Sequence, residues 1–373
     1  MVKKVLIVFG TRPEAIKMAP LVKLLKSESS LVTKLCVTAQ HREMLDQVLV
    51  FFKMEPDYDL NLMQANQSLN KLSSRVLLKI DDVLEDFIPD LVLVHGDTTT
   101  SSMTALAAFH RQIKVGHVEA GLRTYNKSVP FPEEINRQLT GRLADFHFAP
   151  TQKSANNLIV NERVLKENVF ITGNTVIDAL FWGIKNVNEE RQEILNLVKE
   201  IDTTKKLILV TGHRRENFGA KFESFCEALL EISKRKDVQI IYPVHLNPNV
   251  QETVYGLLEE QENILLIPPL DYEVFIWLMN KSFLIITDSG GVQEEAPSLG
   301  KPVLVTRDVT ERQEAVEIGT VKLVGTDKET IINEAVNLLD DELLYSQMSA
   351  KTNPYGDGKS SYRIYEIILD LFK

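Results

Sequence analysis

A chain of 373 residues is long enough for two domains of ordinary size, each able to bury its own core. A net charge of -10 and a pI near 5.4 argue against a basic nucleic-acid groove, so any anion site has to be built locally from a few Arg, Lys and His side chains. No apolar run reaches the ~18 residues of a membrane span, and the stretch 5–9 is too short for a signal-peptide core, so a cytoplasmic chain is expected. Strand-length apolar runs then follow in chain order at 5–9, 35–38, 91–95, 114–118, 146–149 and 169–172. A second set follows at 207–211, 239–243, 264–268, 283–287, 303–306 and 321–324. Amphipathic segments separate them, an alternation that predicts parallel α/β layers.

The expected division is a first Rossmann-like domain over 1–172, a second over 173–355, and a last helix within 356–373 that returns to the first domain. Cys36 and Cys226 lack metal spacing and are expected to be buried thiols.

The two halves open alike. Lys3-Lys4-Val5-Leu6-Ile7-Val8-Phe9-Gly10-Thr11-Arg12-Pro13-Glu14 is echoed by Lys205-Lys206-Leu207-Ile208-Leu209-Val210-Thr211-Gly212-His213-Arg214-Arg215-Glu216. Each copy reads as a buried strand that breaks at a glycine and places a basic residue on the loop before a helix, where backbone N–H groups favour an anion. A cleft between two domains, bridged by one negatively charged ligand, is the expected site.

Neither loop carries the dinucleotide fingerprint Gly-x-Gly-x-x-Gly, so no nicotinamide cofactor is expected. Ser289-Gly290-Gly291 follows the strand 283–287 and opens a helix; small residues there let N–H groups approach a diphosphate, with Arg312 in the next loop and Glu295 able to accept from ribose hydroxyls. Asp97, Glu119 and Glu133 gather at strand ends of the first half and are acid and base candidates. Each has a plainer alternative: Asp97 could cap the helix 98–109, and Glu133 could serve the helix dipole, while Glu134 is expected to be structural. His117 and His147 sit in apolar strands as core residues, whereas His213 leaves the second copy of the repeated strand and His41 and His245 lie on loops. No set of residues has metal-ligand spacing, and no metal is expected.

Together these segments resemble the non-hydrolysing UDP-N-acetylglucosamine 2-epimerases. The likeness runs through 10–20, 40–46 (Gln40-His41-Arg42-Glu43), 94–100 (Val94-His95-Gly96-Asp97), 117–124 (His117-Val118-Glu119), 173–178, 210–217, 242–249 and 288–302, nearly the whole chain. It implies a glycosyltransferase-B-like fold of two Rossmann-like domains around a central cleft, and interconversion of UDP-N-acetylglucosamine and UDP-N-acetylmannosamine. Asp97, Glu119, Glu133 and His213 would then be catalytic, and Arg12, Lys17, Ser289, Gly290, Gly291, Glu295 and Arg312 would hold UDP. The segment from Leu270 to Phe275 would meet the uracil, with Leu270 standing where relatives often carry Gln. Gln40, Glu43 and His245 correspond to a second-substrate site of some members. A homodimer serving surface-polysaccharide synthesis is implied.

Carbon 2 of such a sugar has no neighbouring carbonyl, so a carboxylate removes its proton only if the bond to UDP at carbon 1 breaks with it. Anti elimination to a 2-acetamidoglucal and re-addition of UDP meets that need without a cofactor. The rival expectations are an epimerase of a UDP-diacetamido-uronic acid, a glycosyltransferase on the same fold, and a non-catalytic sugar-nucleotide sensor.

Overall fold

A computed structural model describes residues 2–39, 42–62, 64 and 67–373. It divides into two compact units, one formed by Met1–Trp182 with Tyr355–Lys373, the other by Gly183–Pro354. The division falls inside the helix Thr175–Asn186. The part of that helix before Gly183 is bound to the first unit: the Trp182 ring packs 4.9 Å from Phe52, and Asp178 accepts from the backbone N–H groups of Ser360 and Ser361 at 3.1 and 2.8 Å.

The first unit holds β1 (Lys3–Phe9), β2 (Leu31–Val37), β3 (Tyr58–Asp59), β4 (Leu91–His95), β5 (Lys114–Val118), β6 (Phe146–Ala149) and β7 (Val169–Ile171) in one sheet of order β3-β2-β1-β4-β5-β6-β7. Every pairing is parallel. Val5 through Phe9 are 0% exposed because helices cover both faces of a parallel sheet, and that double burial is why the strand reads as an unbroken apolar run. The edge strand β3 was not among the expected runs. It has two residues and no apolar pattern, and exists because Tyr58 and Asp59 fall opposite Cys36 and Val37.

The helix Leu69–Phe87 is the main cover of one face. Ser68 caps it by accepting from Lys71 N, and its buried positions Leu72, Val76, Ile80, Val83 and Phe87 recur at helical spacing.

The second unit repeats the plan with β8 (Lys206–Thr211), β9 (Val238–Pro243), β10 (Ile264–Ile267), β11 (Leu284–Thr287), β12 (Val303–Val305) and β13 (Val321–Leu323), ordered β10-β9-β8-β11-β12-β13 and all parallel. In both sheets the order reverses beside the strand of the repeat, between β1 and β4 and between β8 and β11. Open parallel sheets bind ligands at the carboxyl ends of the strands at such a reversal. The loops after those four strands begin at Gly10, Gly96, Gly212 and Asp288. No helix of the described residues is long and apolar enough to cross a membrane.

Gly10 sits where no side chain fits. A Cβ there would lie 2.1 Å from Thr38 Oγ1 and 2.6 Å from Thr100 Oγ1, two hydroxyls that bond each other at 2.8 Å. Gly10→Ala should therefore destabilise the first unit by ~1–3 kcal/mol through overpacking, seen as a lower denaturant midpoint. A midpoint equal to that of the parent would contradict this.

Candidate active site

In the first unit, Glu14 ties the two loops of the reversal together. It is 2% exposed; Oε2 accepts from Gly10 N at 3.0 Å and from Thr11 N and Oγ1 at 2.8 Å, while Oε1 accepts from Thr98 Oγ1 at 2.6 Å and Ser101 Oγ at 3.0 Å. Burial raises its pKa against the pull of those donors. The spacing Thr11-x-x-Glu14 is that of a capping box, the signal that marks Glu14 from sequence. Thr98, not Asp97, caps the helix Thr99–His110 by accepting from Ser101 N, so Asp97 is not needed as a cap.

Asp97 instead accepts from the Arg137 guanidinium, which comes from the helix Glu133–Leu143. Burial raises the Asp97 pKa, Arg137 opposes that, and the nearby charge of Glu119 adds to it. Glu133 is the first residue of the same helix and stands one turn ahead of Arg137, on the same face. Glu134, fully buried, accepts from Thr124 N and Tyr125 N, both at 3.0 Å, and from Gln138 at 2.7 Å; it holds the loop after β5.

Glu119 closes this group. Its backbone is left-handed, with φ 61°, a conformation uncommon outside glycine that turns the chain sharply just after β5. Its Oε2 accepts from Lys17 Nζ and, at 2.8 Å, from Asn174 Nδ2, with His95 Nε2 3.8 Å away. Lys17 thus reaches an acid within its own unit. His95, Asn174 and Arg137 were not singled out from sequence. Arg12 is half-buried at the start of the helix Arg12–Ser27, and Glu43 is exposed in the first turn of Arg42–Phe51. Gln40 and His41 lie outside the described residues.

Three histidines of this sheet are buried and held neutral. Burial brings His95 and His147 down to about 4, and takes His117, whose Nε2 meets Gly96 O at 2.7 Å, well below the ordinary 6.5. Between pH 6.5 and 4 the unfolded imidazoles take up protons that the folded ones refuse. Stability therefore falls as pH drops through this window, by up to about 3 kcal/mol for His147. His147→Gln should flatten the fall in denaturant midpoint from pH 6.5 to 4, and an undiminished fall would count against the account.

In the second unit, Asp288 plays the part of Glu14. It is fully buried, and its Oδ2 accepts from His213 N and Arg214 N at 2.8 Å each, while its carbonyl accepts from Arg214 Nε at 2.9 Å. The loop after β8 is thereby pinned to the loop after β11. The His213 ring is 45% exposed and stacks on His245 with centroids 4.8 Å apart. Partial burial, then the neighbouring His213, lowers the His245 pKa.

Arg312 Nε donates to Glu294 at 3.0 Å, and its guanidinium lies where a Cβ on Gly290 would stand 3.0 Å from Cζ. Gly291 faces more open space, its nearest neighbours being Glu295 Oε2 at 3.9 Å and Ser289 Oγ at 4.0 Å from such a Cβ. Glu295 is buried and accepts from Tyr272 Oη at 2.7 Å; Tyr272 belongs to the helix Tyr272–Lys281, which also carries the half-buried Phe275, while half-buried Leu270 just precedes it. Arg214, Arg307 and Arg312 surround Glu311, which they bring down to about 2 in spite of its burial. Among the described residues, no group of three or more His, Cys, Asp or Glu side chains could hold a metal ion.

A family model described as UDP-N-acetylglucosamine 2-epimerase matches residues 23–369. A UDP-N-acetylglucosamine 2-epimerase of Campylobacter jejuni is 58% identical over 99% of this chain and 98% of its own length. The crystal structure of UDP-GlcNAc 2-epimerase from Neisseria meningitidis bound to UDP-GlcNAc superposes with TM-score 0.89 at 50% identity, covering 98% of this chain and 100% of that one. A glycosyltransferase from Rickettsia africae, 15% identical with TM-score 0.64 over 100% of this chain and 99% of its own, shares the fold alone.

Proposed function

Because this chain belongs to the UDP-N-acetylglucosamine 2-epimerase family, and is an isomerase of the glycosyltransferase-B-like fold, we propose that it interconverts UDP-N-acetylglucosamine and UDP-N-acetylmannosamine by anti elimination and re-addition of UDP. The observation that carries the reading is the meeting of Asp97 and Glu119 at the carboxyl ends of β4 and β5, the raised Asp97 held by Arg137 and Glu119 held by Lys17 and Asn174. Two carboxyls in unlike surroundings suit a reaction that removes a proton from one face of carbon 2 and returns it to the other.

In this reading Glu133 shares the proton work, and His213 steadies the diphosphate as the bond to carbon 1 breaks. Arg12, Ser289, Gly290, Gly291 and Arg312 hold the diphosphate, Glu295 the ribose, and Leu270 to Phe275 the uracil. Lys17 acts through Glu119. Tight hold of the displaced UDP keeps it beside the glycal until it re-adds. The reaction needs no acceptor, which separates it from glycosyl transfer. A cytoplasmic homodimer feeding polysaccharide synthesis completes the proposal.

The test is a proton NMR time course of purified protein with UDP-N-acetylglucosamine alone. Appearance of UDP-N-acetylmannosamine up to a constant ratio is expected; an unchanged spectrum, or hydrolysis alone, would overturn the reading.

A further inference from the structure

The second unit contains a cavity of about 680 Å³ remote from the loops just described. It opens at the amino ends of the strands, where Lys206 and Leu207 begin β8 and Phe283 leads into β11, whereas His213 and Asp288 follow the carboxyl ends. The length of β8 puts roughly 16 Å between the two ends. One wall is the helix Gln192–Glu200, which buries Ile194 and Leu197 yet leaves Leu195 40% and Val198 50% exposed, and both of these line the cavity. Phe283 and Tyr345, stacked at 4.2 Å, form part of another.

Charge at the rim is unbalanced. Lys281 lies 3.8 Å from Glu189, and Lys205 lies 3.5 Å from Asp202. Lys206 donates to Leu339 O and lies over the Phe283 ring at 4.8 Å. Lys301 has no carboxylate partner among the described residues; it is half-buried, and the charge that acts on it is the like charge of Lys281. Burial, then Lys281, lowers its pKa. Trp277, 5% exposed and also lining the cavity, leaves its indole N–H without an acceptor.

A half-buried cation with no carboxylate beside it favours an anionic oxygen. Apolar and aromatic walls lack an apolar body to cover them, in a volume typical of small-molecule sites. We propose that this cavity is a second ligand site, taking a small amphipathic carboxylate whose charged end meets Lys301 and whose apolar body lies along Leu195, Val198 and Phe283. Inorganic phosphate would leave the walls wet, and an uncharged alcohol would leave Lys301 uncompensated.

The chain has two tryptophans, so Trp182→Phe makes Trp277 the one indole reporter. Titration of that variant with decanoate, with decanol and with inorganic phosphate should give a saturable fluorescence change for decanoate, a weaker one for decanol and none for phosphate. Lys301→Gln, with its melting temperature unchanged, should weaken decanoate at least tenfold and leave decanol as before. Val198→Glu should weaken both. Calorimetry of decanoate with the unaltered chain measures the same binding should Trp182→Phe fail to fold. No saturable binding of decanoate by calorimetry, or equal affinity for decanoate before and after Lys301→Gln, would overturn the proposal.

Discussion

Turnover in heavy water should place deuterium at carbon 2 of the product, and replacing either Asp97 or Glu119 by its amide should slow turnover by ~10² or more. Elimination exposes the abstracted proton to carboxyls that exchange with solvent, whereas an internal hydride transfer would return the original hydrogen. Asp97→Asn keeps a group for Arg137 to bond and removes the ionisable one; Glu119→Gln keeps a partner for Lys17 and Asn174. Both amides are near-isosteric, so binding of UDP by calorimetry should persist while kcat falls.

Burial and the charge of Glu119 let Asp97 keep its proton to higher pH than an ordinary aspartate, with Arg137 opposing. That suits Asp97 to donate a proton. Product free of solvent deuterium would rule out the elimination route, and full activity in the Asp97→Asn, Glu119→Gln double variant would remove these acids from it.

His213→Asn should lower turnover by ~10² and release free UDP with 2-acetamidoglucal, products the parent retains. The loop itself should survive the change, because what pins it is the backbone N–H of His213 and of Arg214 on Asp288, at 2.8 Å each, bonds that an asparagine at position 213 still allows. The imidazole is 45% exposed, stacked on His245 and 3.9 Å from Asp288 Oδ1, at the surface and not in the core. Loss of the ring would then act on the departing diphosphate and its return, not on folding. Phosphorus NMR distinguishes the products. Unchanged turnover with no free UDP would show that the ring has no part in the step.

Much of the fold is legible from local pattern alone. Parallel strands covered on both faces must be apolar throughout, so Val5–Phe9 and Leu207–Val210 declare themselves, and the glycine and basic residue after each mark the reversal points of both sheets. Asp97 and Glu119 were visible for the same reason, as acids directly beyond buried strands. What tertiary structure decided is everything that joins residues far apart in the chain. Lys17 and Glu119, 102 positions apart, meet because β1 and β5 flank β4, and this gives the Glu119 carboxylate a cationic partner that no local pattern announces. Arg137 reaches Asp97 across 40 positions, and Glu14 reaches Thr98 across 84. The left-handed turn at Glu119 and the two-residue strand Tyr58–Asp59 have no periodic signature, since one is imposed by the closing of its loop and the other by an edge offered by β2. Periodicity records which face of an element is buried, while the identity of a charged group's partner is set only when separate elements are packed side by side.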